Sequence, residues 1–338
     1  VTPDKFRGRS GRADKRRERG VIPILCRATY LARVEKEDPA MNPTTPHTRA
    51  LDCGTPTGNV VAGPVLVCRS EPDSDSLTDR SRRIWSAGDY DRIARGFTQE
   101  AEAFVERLNL APCAKVLDAA TGSGNLAIPA ARRGAWVTGL DLVPSLLEAA
   151  ATRAHEEGLA LRLQEGNVED LPFDDREFDA VLSMFGVMFA ARPDKVVAEL
   201  ARVTRPGGQV ALANWTRSGF VGGMLAKHTA AVPPPAGIPS PLLWGDEAVI
   251  RERFNAKDWD VATKTRTLTF RYPHAPAGTA ELFRRAYGPT VKTLEALDGN
   301  GRAALAIELA AHWAAHNRAG SPATEVDSEY LEVVATRR

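Results

Sequence analysis

From residue 111 onward the pattern of apolar and polar positions changes at short, regular intervals. Lys115–Ala119 is a compact apolar run and predicts a strand, whereas Asn125–Arg133 has helical spacing. Trp136–Leu140 predicts a second strand. The helix after it is opened by Pro144 at a first-turn position, where the missing N–H has no intrahelical partner to lose. Leu161–Gln164 reads as a short strand and Phe178–Ser183 as a strand that is apolar apart from Asp179. Lys195–Thr204 reads as a helix that stops before Pro206-Gly207-Gly208, and Gln209–Asn214 as the next strand. Strands without polar alternation, separated by helices, imply a parallel sheet covered on both faces.

The flanks carry weaker patterns. Asp79–Trp85 and Tyr90–Leu108 predict helices, the second with Ile93, Phe97, Phe104, Val105 and Leu108 on one face. Beyond residue 215, Pro233-Pro234-Pro235 and Pro239/Pro241 mark a loop. Asp246–Phe254 reads as a helix, Lys264–Tyr272 as an alternating strand, and Thr279–Ala315 as helical with breaks at Gly288-Pro289 and Gly299. Tyr330–Ala335 closes the chain as a strand. Residues 1–78 begin basic, with eight Lys/Arg against three Asp/Glu in the first twenty, and then become rich in Pro, Thr, Gly and Ser. A segment with so little apolar area does not offset its ordering entropy, so 1–78 is expected to be a disordered tail. Val1 is compatible with an alternative start codon, with Met41 or a later site as the true start.

Composition narrows the function classes. The 338 residues carry a net charge of +1, which gives no global attraction to a polyanion and makes nucleic acid an unfavoured partner. No run approaches the roughly 20 apolar residues of a membrane helix. The four cysteines, Cys26, Cys53, Cys68 and Cys113, show no C-x-x-C pair and no metal-ligand spacing. They read as scattered thiols of a cytoplasmic protein, and no metal is expected.

The chemistry concentrates in Val116-Leu117-Asp118-Ala119-Ala120-Thr121-Gly122-Ser123-Gly124-Asn125-Leu126, a strand that enters a small-residue turn and then a helix. In a doubly wound sheet that turn lies at the carboxyl edge, where ligands bind. Gly122 and Gly124 can adopt positive φ at little cost. Asp141 follows seventeen residues after Gly124 at the end of the next strand, placed to accept hydrogen bonds from a ribose diol. Gly122-x-Gly124-x-x-Ala127 also satisfies the dinucleotide fingerprint, which keeps an NAD(P)-dependent oxidoreductase as an alternative. Asp118 tilts the balance: a carboxylate just before the loop repels a pyrophosphate but not an amino-acid ammonium.

Asp118-x-Ala120-x-Gly122-Ser123-Gly124 resembles motif I of class I S-adenosylmethionine-dependent methyltransferases, in the variant with Ala at position 120. Val137–Leu142 resembles the second strand with its ribose acid, and Glu165–Phe173 the adenine-holding segment. Phe178–Ser183 resembles the fourth strand and Arg205-Pro206-Gly207-Gly208 the turn into the fifth. The resemblance implies an α/β fold, a Rossmann-like doubly wound seven-stranded sheet, mostly parallel with a reversed last strand. It divides residues 79–338 into N-terminal lid helices (79–110), a cofactor-binding core (111–215) and last strands with a helical lid insertion at 276–318.

The resemblance also implies site roles. The loop Ala120, Thr121, Gly122 to Gly124 would face the methionine part of S-adenosyl-L-methionine, with Asp118 near its ammonium. Asp141 would bind the ribose and Leu142 would pack on adenine. The Val168 N–H would reach a ring nitrogen, and Asn167, where the pattern often has Asp, would accept from the exocyclic amine. Tyr90 would border the methionine moiety, and Ser183 at the exit of the fourth strand joins the cofactor wall. The reaction would be methyl transfer to O, N or C of a small, partly apolar metabolite, with the insertion 276–318 choosing the acceptor. Such a displacement needs alignment more than a catalytic group. His228 is the best single candidate for a general base. A non-catalytic S-adenosylmethionine-binding module whose basic arm touches nucleic acid is the alternative from outside the enzymes.

Overall fold

The computed structural model describes residues 66–68, 76–320 and 322–338. The tail expected over 1–78, with its basic arm, lies outside the described residues except for two pieces. One is strand β1 (Leu66–Cys68), and the other is the first turn of helix α1 (Ser76–Trp85), which begins three residues before the expected boundary at 79. Cys113 is disulfide-bonded, which corrects the reading of four scattered thiols at that residue.

The core alternates as the apolar pattern dictates. Strands β2 (Lys115–Ala119), β3 (Trp136–Asp141), β4 (Arg162–Glu165), β5 (Phe178–Met184) and β6 (Thr204–Trp215) run parallel to one another. Strand β7 (Trp259–Tyr272) follows, and β8 (Thr324–Arg337) inserts antiparallel between β6 and β7. The sheet order is β1-β4-β3-β2-β5-β6-β8-β7. Strands β2 to β8 make the seven-stranded sheet with its reversed last strand; β1 adds an eighth at the edge, parallel to β4. Val116, Leu117, Val137, Leu163, Val181 and Leu212 are fully buried, as a sheet covered on both faces requires. The turn expected at Pro206-Gly207-Gly208 is a bulge inside β6: Phe178 pairs with Thr204 and Ala180 with Gln209.

Helices α4 (Ala127–Arg132), α5 (Pro144–Glu156) and α6 (Pro193–Val203) are the crossover connections. The helix expected over Tyr90–Leu108 is broken. It consists of α2 (Tyr90–Ala94), a 3-10 turn (Arg95–Phe97) and α3 (Thr98–Arg107), and Gly96 lies in the turn. Its apolar face survives the break, because Ile93, Phe97, Phe104, Val105 and Leu108 all remain buried. After β6 come α7 (Phe220–Ala231) and α8 (Glu247–Arg253); Asp246 caps α8 by accepting from the Ala248 N–H at 2.9 Å. Between β7 and β8 lie α9 (Pro276–Ala286), α10 (Gly288–Glu295) and α11 (Gly299–His316). No helix among the described residues is long and apolar enough to cross a membrane.

The inserted helices press on the N-terminal ones through bare backbone. The Asp89 N–H donates to the Ala286 carbonyl at 3.0 Å. A Cβ on Gly88 would lie 2.6 Å from that same oxygen, and one on Gly288 would lie 2.1 Å from the Ile84 carbonyl oxygen. Both glycines are there because the helices meet at that distance. Gly288→Ala is therefore expected to lower unfolding stability by about 2 kcal/mol or more, through forced separation of α1 and α10. Gly299→Ala, with nothing within 4 Å of the added carbon, should stay within about 0.5 kcal/mol of the parent or gain slightly. Urea unfolding of the two variants checks the contrast.

Candidate active site

Strand β2 delivers the chain to the carboxyl edge of the sheet, and the loop that follows turns three times through positive φ. Ala120 has φ 59°, Gly122 54° and Gly124 85°. The three residues are there for different reasons. Gly122 faces open space: an added Cβ would meet only the Tyr90 Cε1 at 4.0 Å. Gly124 is a packing glycine, whose Cβ would lie 3.3 Å from the Ala150 and Ile128 side chains. Ala120 carries a side chain in the left-handed region, at a cost on the order of 1–2 kcal/mol. Gly186 makes room for it, since a Cβ at 186 would sit 2.6 Å from the Ala120 Cβ.

Two buried carboxylates fasten this loop. Asp141, at the end of β3, accepts from the Gly122 N–H at 2.8 Å through Oδ2 and from the Val143 N–H at 2.9 Å through Oδ1. Burial pushes its carboxyl up to about 6, against the pull of those backbone donors. Asp118 accepts from the Thr121 hydroxyl at 2.6 Å and from the Ala127 N–H at the start of α4 at 2.9 Å, both through Oδ2. Burial pushes it up to about 7 despite the two hydrogen bonds, and the charge of Asp141 adds to the rise.

Above the loop is a cleft. It brings together eight of the predicted residues: Tyr90, Ala120, Thr121, Gly122, Asp141, Leu142, Asn167 and Val168. Asp118, Gly124, Ser183 and His228 are not in its wall. Asp118 is spent on the loop and the α4 N-terminus, one layer below the surface where an ammonium would lie. The Ser183 hydroxyl donates to the Ala119 carbonyl at 2.7 Å and accepts from the Val187 N–H at 3.2 Å, so it fixes β5 to β2 and shapes the turn after β5. His228 is the clearest correction. It is buried on α7 with Nε2 2.9 Å from the Thr290 hydroxyl, and burial lowers its pKa to about 4. It is neutral at physiological pH and weakly basic. It holds α7 to α10.

The contacts that hold the wall together are beyond the sequence reading. Asn167 is anchored at both ends of its amide: Nδ2 donates to the Thr78 hydroxyl at 3.0 Å, and Oδ1 accepts from the Glu169 N–H at 3.0 Å. The first bond brings α1 over the cleft. Glu169 also lines the cleft and is held by Arg192, through the backbone N–H at 2.9 Å and the guanidinium. Arg153 on α5 donates to the Ser123 carbonyl at 2.6 Å and to the Asn125 Oδ1 at 2.9 Å, and the Asn125 Nδ2 donates to the Ala94 carbonyl at 2.8 Å. The loop is thereby tied to α2. The far wall is aromatic. Trp85 packs edge-on against Tyr90 (5.3 Å) and Phe189 (4.9 Å), and Phe97 against Phe185 (5.7 Å). Among the described residues lining the cleft, the ionisable groups are Tyr90, Asp141 and Glu169; none is Lys, Arg or His.

Comparison with known proteins agrees with this geometry. The family model described as a methyltransferase domain matches residues 117–212. An uncharacterised protein of Mycobacterium tuberculosis is 40% identical over 218 residues, covering 64% of this chain and 80% of the relative. The demethylmenaquinone methyltransferase of Deinococcus radiodurans is 35% identical over 163 residues, 47% of this chain and 65% of that one. Among solved structures, the YcgJ protein of Bacillus subtilis superposes with a TM-score of 0.50 at 16% identity, over 71% of this chain and 99% of that one. That similarity carries the fold.

The Ala120–Gly186 contact gives a direct test of the loop packing. Gly186→Ala should cost about 1–3 kcal/mol, because the added methyl overlaps the one on Ala120. Combining it with Ala120→Gly should recover part of the loss, so that the two changes are non-additive. The Ala120 carbonyl, 3.0 Å from the same Cβ position, keeps the recovery incomplete. A double-mutant cycle by thermal unfolding measures it.

Proposed function

This chain belongs to the class I S-adenosylmethionine-dependent methyltransferases, and on that premise we propose that the cleft between the Ala120–Gly124 loop and the aromatic wall holds the cofactor and the acceptor side by side. The enzyme transfers a methyl group from S-adenosylmethionine to a small, partly apolar metabolite. The observation that carries the cofactor assignment is the charge of the wall. Two carboxylates face the cleft and no basic side chain joins them among the described residues. Glu169 is balanced by Arg192, so the uncompensated charge is that of Asp141: a pyrophosphate coenzyme would find no lining cation there, whereas a phosphate-free adenosine with a cationic sulfonium and an ammonium meets attraction.

Each residue then has a role. Gly122, open toward the cleft, lets the loop backbone approach the methionine portion, with Ala120, Thr121 and Tyr90 around it. The two oxygens of Asp141 together offer about four acceptor positions, and those left beyond its backbone donors Gly122, Val143 and Leu142 face the ribose hydroxyls. Leu142 packs on adenine, the Val168 N–H donates to the ring, and Asn167 accepts the exocyclic amine with the lone pair that Glu169 leaves free. Asp118 acts on the cofactor through the loop it fastens. Ser183 and Gly124 shape the cradle from behind. The cofactor supplies a methyl group on a sulfonium, a leaving group that needs no protonation.

What the chain adds is alignment, which can lower a barrier by roughly 7–11 kcal/mol when two reactants are held in line. Phe97, Phe185, Phe189 and Trp85 provide an apolar surface for an acceptor, and exclude water from the transfer. An apolar ring system suits them, and the Deinococcus relative is named for such a molecule. The acceptor atom is O, N or C, and the helices α9–α11 select the acceptor.

Calorimetry with S-adenosylmethionine, S-adenosylhomocysteine and NAD(H) tests the assignment; uptake of the nicotinamide and indifference to the sulfonium would overturn it. Asp141→Asn should weaken S-adenosylmethionine binding about 10- to 100-fold, the loss of charge-assisted bonds to two hydroxyls. Acid should act in the same direction. The carboxylates at about 6 and about 7 gain protons as pH falls, losing both acceptor lone pairs and negative charge. Affinity should therefore be flat above about pH 8 and decline between about pH 8 and 5, and Asp141→Asn should remove the lower part of that decline and leave the part that belongs to Asp118. His228→Gln should leave kcat/KM of the folded enzyme within about threefold, since the imidazole touches neither reactant.

A further inference from the structure

The aromatic surface continues past the cleft. From Phe97 and Phe185, which line it, the rings run to Trp215, stacked on Phe185 at 3.6 Å, then to Phe270 at 6.0 Å and Tyr272 at 6.4 Å. Trp215, Phe270 and Tyr272 come from strands β6 and β7. Tyr272 is 9% exposed and packs edge-on against Phe283 (6.0 Å) and Trp313 (6.2 Å). Its hydroxyl, in that apolar setting, is buried with no hydrogen-bond partner among the described residues. An unpaired buried hydroxyl is destabilising, and phenylalanine would fill the same space without that cost.

A second position is adapted to the same oxygen. A Cβ on Gly96 would lie 2.9 Å from the Tyr272 hydroxyl. Gly96 interrupts what would otherwise be one helix, between Ala94 and Phe97, and both of those line the cleft. The Tyr272 hydroxyl is also within electrostatic reach of Tyr90, another wall residue. A helix break and an unpaired polar group thus serve one phenol oxygen placed directly behind the acceptor wall.

We propose that the Tyr272 hydroxyl donates a hydrogen bond to an oxygen of the methyl acceptor, so that the acceptor is an apolar ring-containing molecule bearing a hydroxyl or carbonyl oxygen. This rests on the methyltransferase reading of the cleft. The segment Tyr90–Phe97, made of two short helical pieces, is the part of the wall that yields to let the acceptor reach the hydroxyl. Tyr272 then acts as a specificity residue: it selects for the oxygen and leaves the cofactor alone.

The test uses the full chain saturated with S-adenosylhomocysteine and two flat probes of like shape, 2-naphthol and 2-methylnaphthalene, titrated by calorimetry. The parent should prefer the naphthol by about five- to tenfold, the size of one neutral hydrogen bond. Tyr272→Phe should abolish the preference, bind S-adenosylhomocysteine as before, and melt at the same or a higher temperature. Gly96→Ala, which crowds the hydroxyl, should reduce the preference in the parent and change nothing further in the Tyr272→Phe background. Equal probe affinities in the parent, a preference retained by Tyr272→Phe, or a lower melting temperature for that variant would each overturn the proposal. Failure to bind S-adenosylhomocysteine at all would instead remove the methyltransferase reading, and this proposal with it.

Discussion

The structure turns on the bond between the Gly122 N–H and the Asp141 carboxylate. It crosses from the loop after β2 to the end of β3 at 2.8 Å, and it fixes a backbone that positive φ angles at three positions would otherwise leave easy to unfold. Asp118 holds the other end of the same loop, through Thr121 and the first amide of α4. Both acids are buried, and both have pKa values raised by that burial. Keeping two carboxylates ionised under a loop is unfavourable in the empty protein. A cationic ligand relieves that cost, so the loop's own fastenings favour the cofactor.

The fastening extends outward from there. Arg153 reaches from α5 to the Ser123 carbonyl and the Asn125 amide, and Asn125 in turn binds the Ala94 carbonyl of α2. Asn167 binds Thr78 of α1. The N-terminal helices are therefore hydrogen-bonded to the same residues that frame the cofactor cradle. The inserted helices join through the close backbone contacts at Gly88 and Gly288. A change of position at the acceptor wall is thus felt at the cofactor loop by way of Ala94 and Asn125, through a short physical route rather than a diffuse one.

What the sequence made legible were features that depend on neighbours in the chain. Apolar strands, the small-residue turn after β2 and the acid closing β3 are local signals, whereas the sheet with its reversed last strand was implied by the family resemblance. The roles of single side chains were legible only where the backbone itself places them. Asp141 sits at a strand end and points into the cleft; Asp118, also near a strand end, is drawn aside by an amide of α4 that no spacing rule announces. Arg153 reads as an ordinary helix-surface residue until thirty residues of separation close to 2.6 Å from Ser123. His228 had the right chemistry but the wrong neighbourhood, because burial under α10 removes its basicity. Tyr272 reads as a strand residue like the ones beside it, and only the packing against Gly96 distinguishes it. The break at Gly96 also hid inside a helical pattern, since the apolar face continues through it unchanged.

Backbone strain is present in the cradle, as it is at Asn109, Cys113 and Arg176 elsewhere in the fold. Ala120 and Phe185 are two residues with side chains at positive φ, both at 59°, and both line the cleft. Each costs about 1–2 kcal/mol, and the fold compensates each locally. Gly186 lies beside Ala120 with no side chain to oppose it, and Phe185 stacks on Trp215 at an interplanar angle of 8°, a contact worth about 0.5–1.5 kcal/mol. Backbone held in such conformations has few ways to relax, which keeps the loop at Ala120 and the turn at Phe185 at a fixed separation. For a transfer whose rate depends on holding donor and acceptor in line, a stiff gap matters more than an added acid or base. The absence of a well-placed base from the described wall is then no obstacle to the proposed chemistry, which asks the site to space its reactants and asks Ala120 and Phe185 to help set that spacing.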